Sequence, residues 1–246
     1  MAMTEPAANP SHHVIVLGAS NVSRQLAVVI DTARLVCGGA VRAHIAAGYG
    51  RSFGADSSIL FRTLPGTLQS GLWAALDRDA ACGACGLITD IGNDLMYGAS
   101  SEQLLDWVGR CVQRLTGRCE RLVITALPLR SVEALPPRVY RSLRSVLFPS
   151  NRMTHAETCA AIERVNQGLE TLAAPPGVAI VHPRQEWMGP DAIHIRSSHA
   201  PEAVHTYMRC WRDDPDSVDP VTAPSLWRRL RFLLWPAERR RLFGIR

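Results

Sequence analysis

Five short apolar runs, each separated from the next by a segment of helical periodicity, constrain the fold more than any other feature of this sequence. The runs are rich in β-branched residues and lie at residues 13–18, 41–47, 86–90, 121–127 and 177–182. Helical patterns occupy residues 21–36, 57–76, 102–115, 137–169 (broken near Pro149) and 200–211. Strands that alternate with helices form a parallel sheet covered on both faces. The sequence therefore predicts an α/β fold, a three-layer α/β/α sandwich with a five-stranded parallel sheet.

The chain of 246 residues suits one α/β domain with a short appendage. We expect a disordered N-terminal extension over residues 1–12, the domain itself over residues 13–212, and a linker with a basic tail over residues 213–246. The N-terminal segment lacks the basic and apolar regions of a signal peptide, and the apolar run at residues 14–17 is too short to span a membrane. These features predict a cytoplasmic protein.

The basic residues exclude two classes of enzyme. All 27 of them are arginine, and the sequence contains no lysine. A Walker A phosphate loop needs a lysine on the phosphates, and a Schiff-base enzyme needs a lysine amine. The charge is also unevenly distributed. Residues 225–246 carry seven arginines and one glutamate, a net charge of +6, whereas the net charge of the whole chain is +5. The rest of the chain is close to neutral, which argues against a nucleic-acid-binding surface.

The seven cysteines are scattered and lie mostly in apolar stretches. Cys82 and Cys85 form the one C-x-x-C motif, which leaves a redox or zinc site open as an interpretation. A zinc site needs a second pair of ligands, and a thioredoxin motif follows the first strand. Packing as small apolar side chains is therefore the favoured interpretation, and no metal site is predicted.

Polar residues and glycines follow the predicted strands at the ends where a parallel sheet binds ligands. Ser20 follows the first strand, Gly48–Gly50 the second, Asn93 the third, and Asp191 with His194 the fifth. We expect these segments to converge at one edge of the sheet.

Ser20 lies in a strand-to-helix turn, where a serine hydroxyl can be exposed and the following N–H groups can point into a site. Such a turn also begins dinucleotide sites, but Val22, Ser23 and Arg24 occupy the positions where further glycines would be needed. The G-x-S-x-G elbow of α/β-hydrolases fails as well, because Val22 replaces its last glycine. Asp191 precedes His194 by three residues, a spacing that lets the carboxylate orient the imidazole toward a serine.

Taken together, these motifs resemble the SGNH/GDSL-like serine hydrolases, and the resemblance covers about residues 13–211. The four family blocks resemble Gly18-Ala19-Ser20, Gly48-Tyr49-Gly50, Gly92-Asn93-Asp94 and Asp191-Ala192-Ile193-His194. The resemblance implies a flavodoxin-like sandwich with Ser20 as nucleophile and Asp191 and His194 as its partners. It also implies an oxyanion hole formed by the Ser20 backbone N–H, the Asn93 amide and a glycine N–H. Gly50 is favoured for that glycine because the polar residues Arg51 and Ser52 follow it, as polar residues follow this glycine in the family. Gly48 remains the alternative.

The sequence departs from the family pattern at two positions. Ala19 replaces the aspartate that precedes the nucleophile, so the hydrogen bonds at this turn must differ. Ile195 replaces the proline that often follows the histidine. Neither change removes a proposed catalytic group.

Other candidates are weaker. Ser100 repeats the Gly-Ala-Ser triplet but is expected to cap a helix. His199 and His205 lack an aspartate three residues earlier and are expected in the last helix, and His182 is expected in the core or behind the site. Asp94 is expected to support Asn93 or cap the next turn.

The tail at residues 225–246 combines leucine and tryptophan with arginine. It predicts either docking on an anionic membrane surface or a protein partner, or packing of its apolar face on the body of the protein. For the body we predict a serine esterase that cleaves a small acyl or O-acetyl ester and needs neither metal nor organic cofactor. An acyltransferase and a non-catalytic binding module are the alternatives.

Overall fold

The computed structural model describes residues 12–59, 62–79, 83–225 and 227–228. Five parallel strands form the main sheet: β1 (His12–Leu17), β2 (Val41–Ala46), β5 (Ala84–Ile88), β6 (Cys119–Thr125) and β7 (Val178–Val181). Their order across the sheet is β2-β1-β5-β6-β7. A separate antiparallel hairpin consists of β3 (Ser57–Ile59) and β4 (Arg62–Leu64). The five strands predicted from the apolar runs are thus confirmed.

Nine α-helices lie in the described part of the chain. They are α1 (Ser20–Arg24), α2 (Leu26–Cys37), α3 (Leu72–Arg78), α4 (Asn93–Met96), α5 (Ser101–Thr116), α6 (Leu129–Glu133), α7 (Pro137–Leu147), α8 (His155–Leu172) and α9 (Ala200–Met208). Ser100 caps α5 by accepting from the Gln103 N–H, and Thr154 with Glu157 forms a capping box on α8. Each cap satisfies N–H groups that the first turn of a helix leaves without a partner.

Alternation along the strands builds the two halves of the core. Val14 and Val16 of β1 face α2 and α9, whereas Ile15 and Leu17 face α5 and α8. Both faces of the sheet are buried, which is why the strands read as continuous apolar runs rather than as an alternating pattern. The predicted three-layer sandwich is confirmed.

The predicted helix over residues 57–76 is wrong. The hairpin β3–β4 and a 3-10 turn at Thr67–Gln69 occupy most of this segment, and the helix α3 begins only at Leu72. Pro65 and Gly66 follow the hairpin and prevent a helix from running through it. The helix predicted over residues 21–36 is also divided, because Gln25 leaves helical geometry between α1 and α2.

Most of the C-terminal tail lies outside the described residues. Cys82 and the N-terminal extension before residue 12 also lie outside them. Where the tail begins, the Arg228 Nε lies 2.6 Å from the Asp31 Oδ2 of α2, whereas Trp227 is 81% exposed. The Arg228 contact joins the start of the tail to the body. No described helix is long and apolar enough to cross a membrane.

Candidate active site

The strand order places the candidate site at the point where the direction of winding reverses. The chain passes from β1 outward to β2 and then returns to β5 on the other side of β1. The loops after β1 and β5 therefore diverge and leave a crevice at the carboxyl edge of the sheet, which is where such folds bind ligands. Ser20 follows β1, and Asn93 follows β5.

Ser20 is the first residue of α1 and lies within hydrogen-bond distance of a histidine from the far end of the chain. Its Oγ lies 2.9 Å from the His194 Nε2. The His194 Nδ1 lies 2.6 Å from the Asp191 Oδ2. With the proton on Nδ1, the imidazole donates to Asp191 and leaves Nε2 to accept the hydroxyl proton of Ser20. The three side chains thus form a hydrogen-bonded line.

The environment of Asp191 keeps its carboxylate charged. Burial by itself would raise the pKa of Asp191, but the hydrogen bonds from the His194 side chain and backbone and from the Ile193 backbone outweigh it, and the pKa falls to about 2. The backbone N–H groups of Ile193 and His194 donate to Oδ1 at 3.2 and 3.0 Å. Asp191 is therefore ionised throughout the range in which an imidazole works as a base.

Asn21 joins the loop of His194 to the nucleophile turn, the name used here for residues 18–22. Its Oδ1 accepts the Ile195 N–H at 2.8 Å, and its Nδ2 donates to the Ile193 carbonyl at 3.1 Å. Both bonds flank His194 along the chain. Asn21 therefore sets the position of the imidazole relative to the hydroxyl of its own neighbour, Ser20.

Asp90, in the loop after the neighbouring strand β5, holds the same turn. Its Oδ2 accepts the backbone N–H groups of Ala19 and Asn21, each at 2.9 Å, and its Oδ1 accepts the Asn21 Nδ2 at 2.7 Å. These two N–H groups lie on either side of Ser20. Asp90 also has φ = 60°, a conformation that costs energy in a residue other than glycine and is kept where the surrounding structure requires it.

The glycine loop, residues 48–53, lies next to Asn93. Gly50 has φ = 64°, its carbonyl accepts the Tyr97 hydroxyl at 2.9 Å, and the Asn93 Nδ2 lies 3.4 Å from the Arg51 carbonyl. A Cβ at Gly48 would lie 2.4 Å from the Leu64 Cδ1. Gly48 therefore has a packing role against the hairpin, and Gly50 a conformational one.

Asp94 holds the glycine loop in place by accepting two hydrogen bonds from it. Its carboxylate is buried and accepts hydrogen bonds from the Ser52 hydroxyl and, at 3.0 Å, from the Phe53 N–H. Burial raises the pKa of Asp94 to about 6, although these two hydrogen bonds act in the opposite direction. The residue after Asn93 thus supports the loop that Asn93 contacts.

The other histidines lie away from the line of Ser20, His194 and Asp191. His182 is exposed and pairs with Glu170 at 2.9 Å, so the core position expected for it is wrong. His199 precedes α9 at its N-cap position without a side-chain capping bond and lies 3.7 Å from Glu202, and His205 is buried within α9. Within the described ranges, no group of three or more His, Cys, Asp or Glu side chains is placed to hold a metal ion.

Sequence reasoning did not single out Asn21 or Asp90 for a role. Asn21 is adjacent to Ser20, and an asparagine there can hydrogen-bond to distant backbone in many ways. Asp90 comes at the end of the third predicted strand, after Thr89, and an aspartate at such a position is typical of an ordinary loop. The hydrogen-bond partners of these residues cannot be recognised from the sequence. Those of Asp90 lie 68 to 71 positions away along the chain, and those of Asn21 up to 174 positions away.

The fold is a three-layer α/β/α sandwich with a five-stranded parallel sheet, and comparison with solved structures finds proteins of the same fold. A proposed arylesterase from Agrobacterium tumefaciens superposes with a TM-score of 0.56 at 17% identity, over 82% of this chain and 99% of that one. A carbohydrate acetylesterase family member from Sinorhizobium meliloti gives 0.55 at 12% identity, over 80% and 95%.

The psychrotrophic esterase EstA from Pseudoalteromonas, in a structure inhibited by monoethylphosphonate, gives a TM-score of 0.52 at 11% identity, over 82% of this chain and 98% of that one. No protein-family model and no curated protein matches the sequence. At these identities the likeness is one of fold, and the fold predicted from the family resemblance is confirmed.

Proposed function

We propose that this protein is a serine hydrolase that cleaves a carboxylic ester through an acyl-serine intermediate. The observation that carries the proposal is the line from the Ser20 Oγ through the His194 imidazole to Asp191, with distances of 2.9 and 2.6 Å. A serine hydroxyl is a poor nucleophile until a base accepts its proton, and the base works best when a carboxylate holds its orientation. The fold-level likeness to proteins described as esterases is consistent with this chemistry.

The reaction proceeds in two halves. The Ser20 Oγ bonds to the carbonyl carbon while its proton moves to the His194 Nε2. The bond to the alcohol oxygen then breaks, and the alcohol leaves with the proton from His194. Water next gives a proton to His194 and attacks the acyl-serine, the bond to Oγ breaks, and Ser20 regains its proton as the carboxylic acid leaves.

The negative charge that develops on the carbonyl oxygen needs fixed donors. We assign these to the Ser20 and Gly50 backbone N–H groups and to the Asn93 side-chain amide. Gly50 is preferred to Gly48 because its left-handed conformation and its contact with Tyr97 set the geometry beside Asn93, whereas Gly48 packs on Leu64.

A fluorophosphonate probe tests the nucleophile without knowledge of the substrate. Phosphonates react with serines activated by a base, so we expect covalent labelling at Ser20, mapped by mass spectrometry of the digested protein. His194→Ala removes the base and should abolish rapid labelling. Labelling at another serine, or none in the folded protein, would refute the proposal, and heat-denatured protein serves as the control for nonspecific reaction.

The contacts of Asp90 predict a positioning effect on the same serine. Asp90→Gly removes the carboxylate and accepts φ = 60° without strain, so it isolates the loss of the hydrogen bonds to Ala19 and Asn21. We expect kcat for p-nitrophenyl acetate to fall by about 10²-fold with little change in KM, because a small displacement of a nucleophile is costly.

Asp90→Asn is the matched variant, because asparagine tolerates positive φ and keeps a side-chain oxygen for the turn. Its amide nitrogen cannot accept from the Asn21 Nδ2, so we expect a kcat between those of Asp90→Gly and the unmodified protein. Equal kcat values for Asp90→Gly and the unmodified protein, or an effect confined to KM, would show that Asp90 does not position Ser20.

A further inference from the structure

An apolar cavity of about 120 Å³ adjoins the candidate nucleophile. It begins at Ser20 and Asn93 and extends between α6, α7 and α8. Its apolar wall includes Leu95, Leu127, Val132, Leu143, Phe148 and Ile162. A cavity of this size has room for several water-sized groups, so the methyl group of an acetyl ester would leave most of it empty.

Four hydroxyl groups of the wall are engaged in hydrogen bonds with each other. The Tyr140 and Thr158 hydroxyls pair with each other at 2.5 Å, and those of Thr89 and Thr125 at 2.9 Å. The charged lining residues are Asp90 and Asp191, which hold the nucleophile turn and His194, and Arg144.

The Arg144 Nη1 donates to the Met153 carbonyl at 3.2 Å. The Arg144 Nε is buried without a hydrogen-bond partner among the described residues, so this residue is the polar exception in a wall that is otherwise mostly apolar. The apolar side chains of the wall favour a hydrocarbon chain over a sugar.

The position of His194 tells which part of an ester the cavity receives. The leaving alcohol must take its proton from the His194 Nε2 and therefore lies on the side of the imidazole. Ser20 and Asn93 line the cavity. Ile193 and Ile195, on either side of His194 in the chain, line it as well, whereas His194 itself is not among its described lining residues. The acyl chain, which stays bonded to Ser20 after the alcohol leaves, is the part that points into the cavity.

We infer that the cavity is an acyl-chain site and that the substrates are esters of unbranched apolar acids longer than acetate. This inference rests on the proposed function and narrows its substrate class. It replaces the choice between acyl and O-acetyl esters that the sequence left open. The alcohol part of the substrate is not specified by this site.

A series of p-nitrophenyl esters tests the inference directly. From acetate through butyrate and hexanoate to octanoate, we expect kcat/KM to rise by about fourfold for each methylene that the cavity buries, and then to level off when it is full. A flat or falling series in an enzyme that hydrolyses the acetate in a Ser20-dependent manner would overturn the acyl-chain site while leaving the proposed function intact.

Two substitutions in α7 test whether the dependence of kcat/KM on chain length arises from this cavity. Leu143→Trp fills the cavity and should flatten the series, so that kcat/KM for the octanoate no longer exceeds kcat/KM for the acetate. Val146→Trp is the matched control, because Val146 lies on the same helix, is 78% exposed and does not line the cavity. If Leu143→Trp unfolds the protein, Val132→Phe narrows the cavity from α6 instead. A series unchanged in the cavity-filling variant that folds would overturn the inference.

A binding measurement separates the failure of the site from the failure of the proposed function. Titration calorimetry of Ser20→Ala with octanoate and acetate requires no catalysis. We expect octanoate to bind more tightly than acetate, and the difference to be lost in the double variant with Leu143→Trp. Octanoate that binds no better than acetate would overturn the acyl-chain site even if no ester were hydrolysed.

Discussion

Ser20→Ala is expected to lower kcat/KM for p-nitrophenyl ester hydrolysis by about 10⁴-fold or more. The alanine removes the Oγ that lies 2.9 Å from the His194 Nε2 and leaves no group to form the acyl intermediate. Removal of a triad nucleophile costs several orders of magnitude, and the remaining rate comes from the oxyanion donors and substrate binding. Steady-state kinetics of the purified variant measures the loss.

Ser100→Ala is the matched control, because Ser100 ends the other Gly-Ala-Ser triplet of the chain. Its hydroxyl caps α5, so its loss should cost about 1 kcal/mol in the free energy of unfolding and leave kcat/KM unchanged. The two variants therefore separate catalysis from stability. Equal rates for Ser20→Ala and the unmodified protein would remove Ser20 from the mechanism.

The second large effect is expected from Asp191→Asn, which should lower kcat by about 10³-fold to 10⁴-fold. The amide can donate to the His194 Nδ1, which favours the tautomer with its proton on Nε2. That tautomer cannot accept the proton of Ser20. Because the pKa of Asp191 is about 2, the carboxylate stays charged across the working range, and we expect no loss of rate from its protonation above about pH 4. A pH profile of kcat for both proteins checks this.

Glu202→Gln provides the control for a second carboxylate–histidine pair with the same spacing. Glu202 follows His199 by three residues and lies 3.7 Å from it, on the surface of the domain. Its removal should leave both kcat and the pH profile unchanged. If Asp191→Asn retained full kcat, the imidazole would not depend on this carboxylate, and the proposed relay would be wrong.

The contacts of Asp90 show how the turn at Ser20 is held although Ala19 replaces the aspartate expected there. The family resemblance places an aspartate before the nucleophile, and this chain has none there. Asp90, in the loop after the neighbouring strand β5, instead accepts the N–H groups on both sides of Ser20. A carboxylate is thus present at the nucleophile turn although it comes from a different segment of the chain.

Local patterns were sufficient for the sheet and for the pair formed by Asp191 and His194. A strand buried on both faces must be a continuous apolar run, and a carboxylate three residues before a histidine can reach its ring, so both features are visible within a few residues. The hairpin at Ser57–Leu64 was missed because its residues also fit a helical period. Pairing with a neighbouring strand, which decides between the two, is not a local property.

The sequence alone determined the order of the elements and which loops carry a serine, an asparagine, an aspartate and a histidine. The tertiary structure alone decided how these loops are held, with Asn21 and Asp90 bonding to segments up to 174 residues away, and where the apolar cavity lies among α6, α7 and α8. The physical reason is that a hydrogen bond or a cavity depends on the spatial position of both partners. The sequence specifies each partner's chemistry but not its neighbours across the fold.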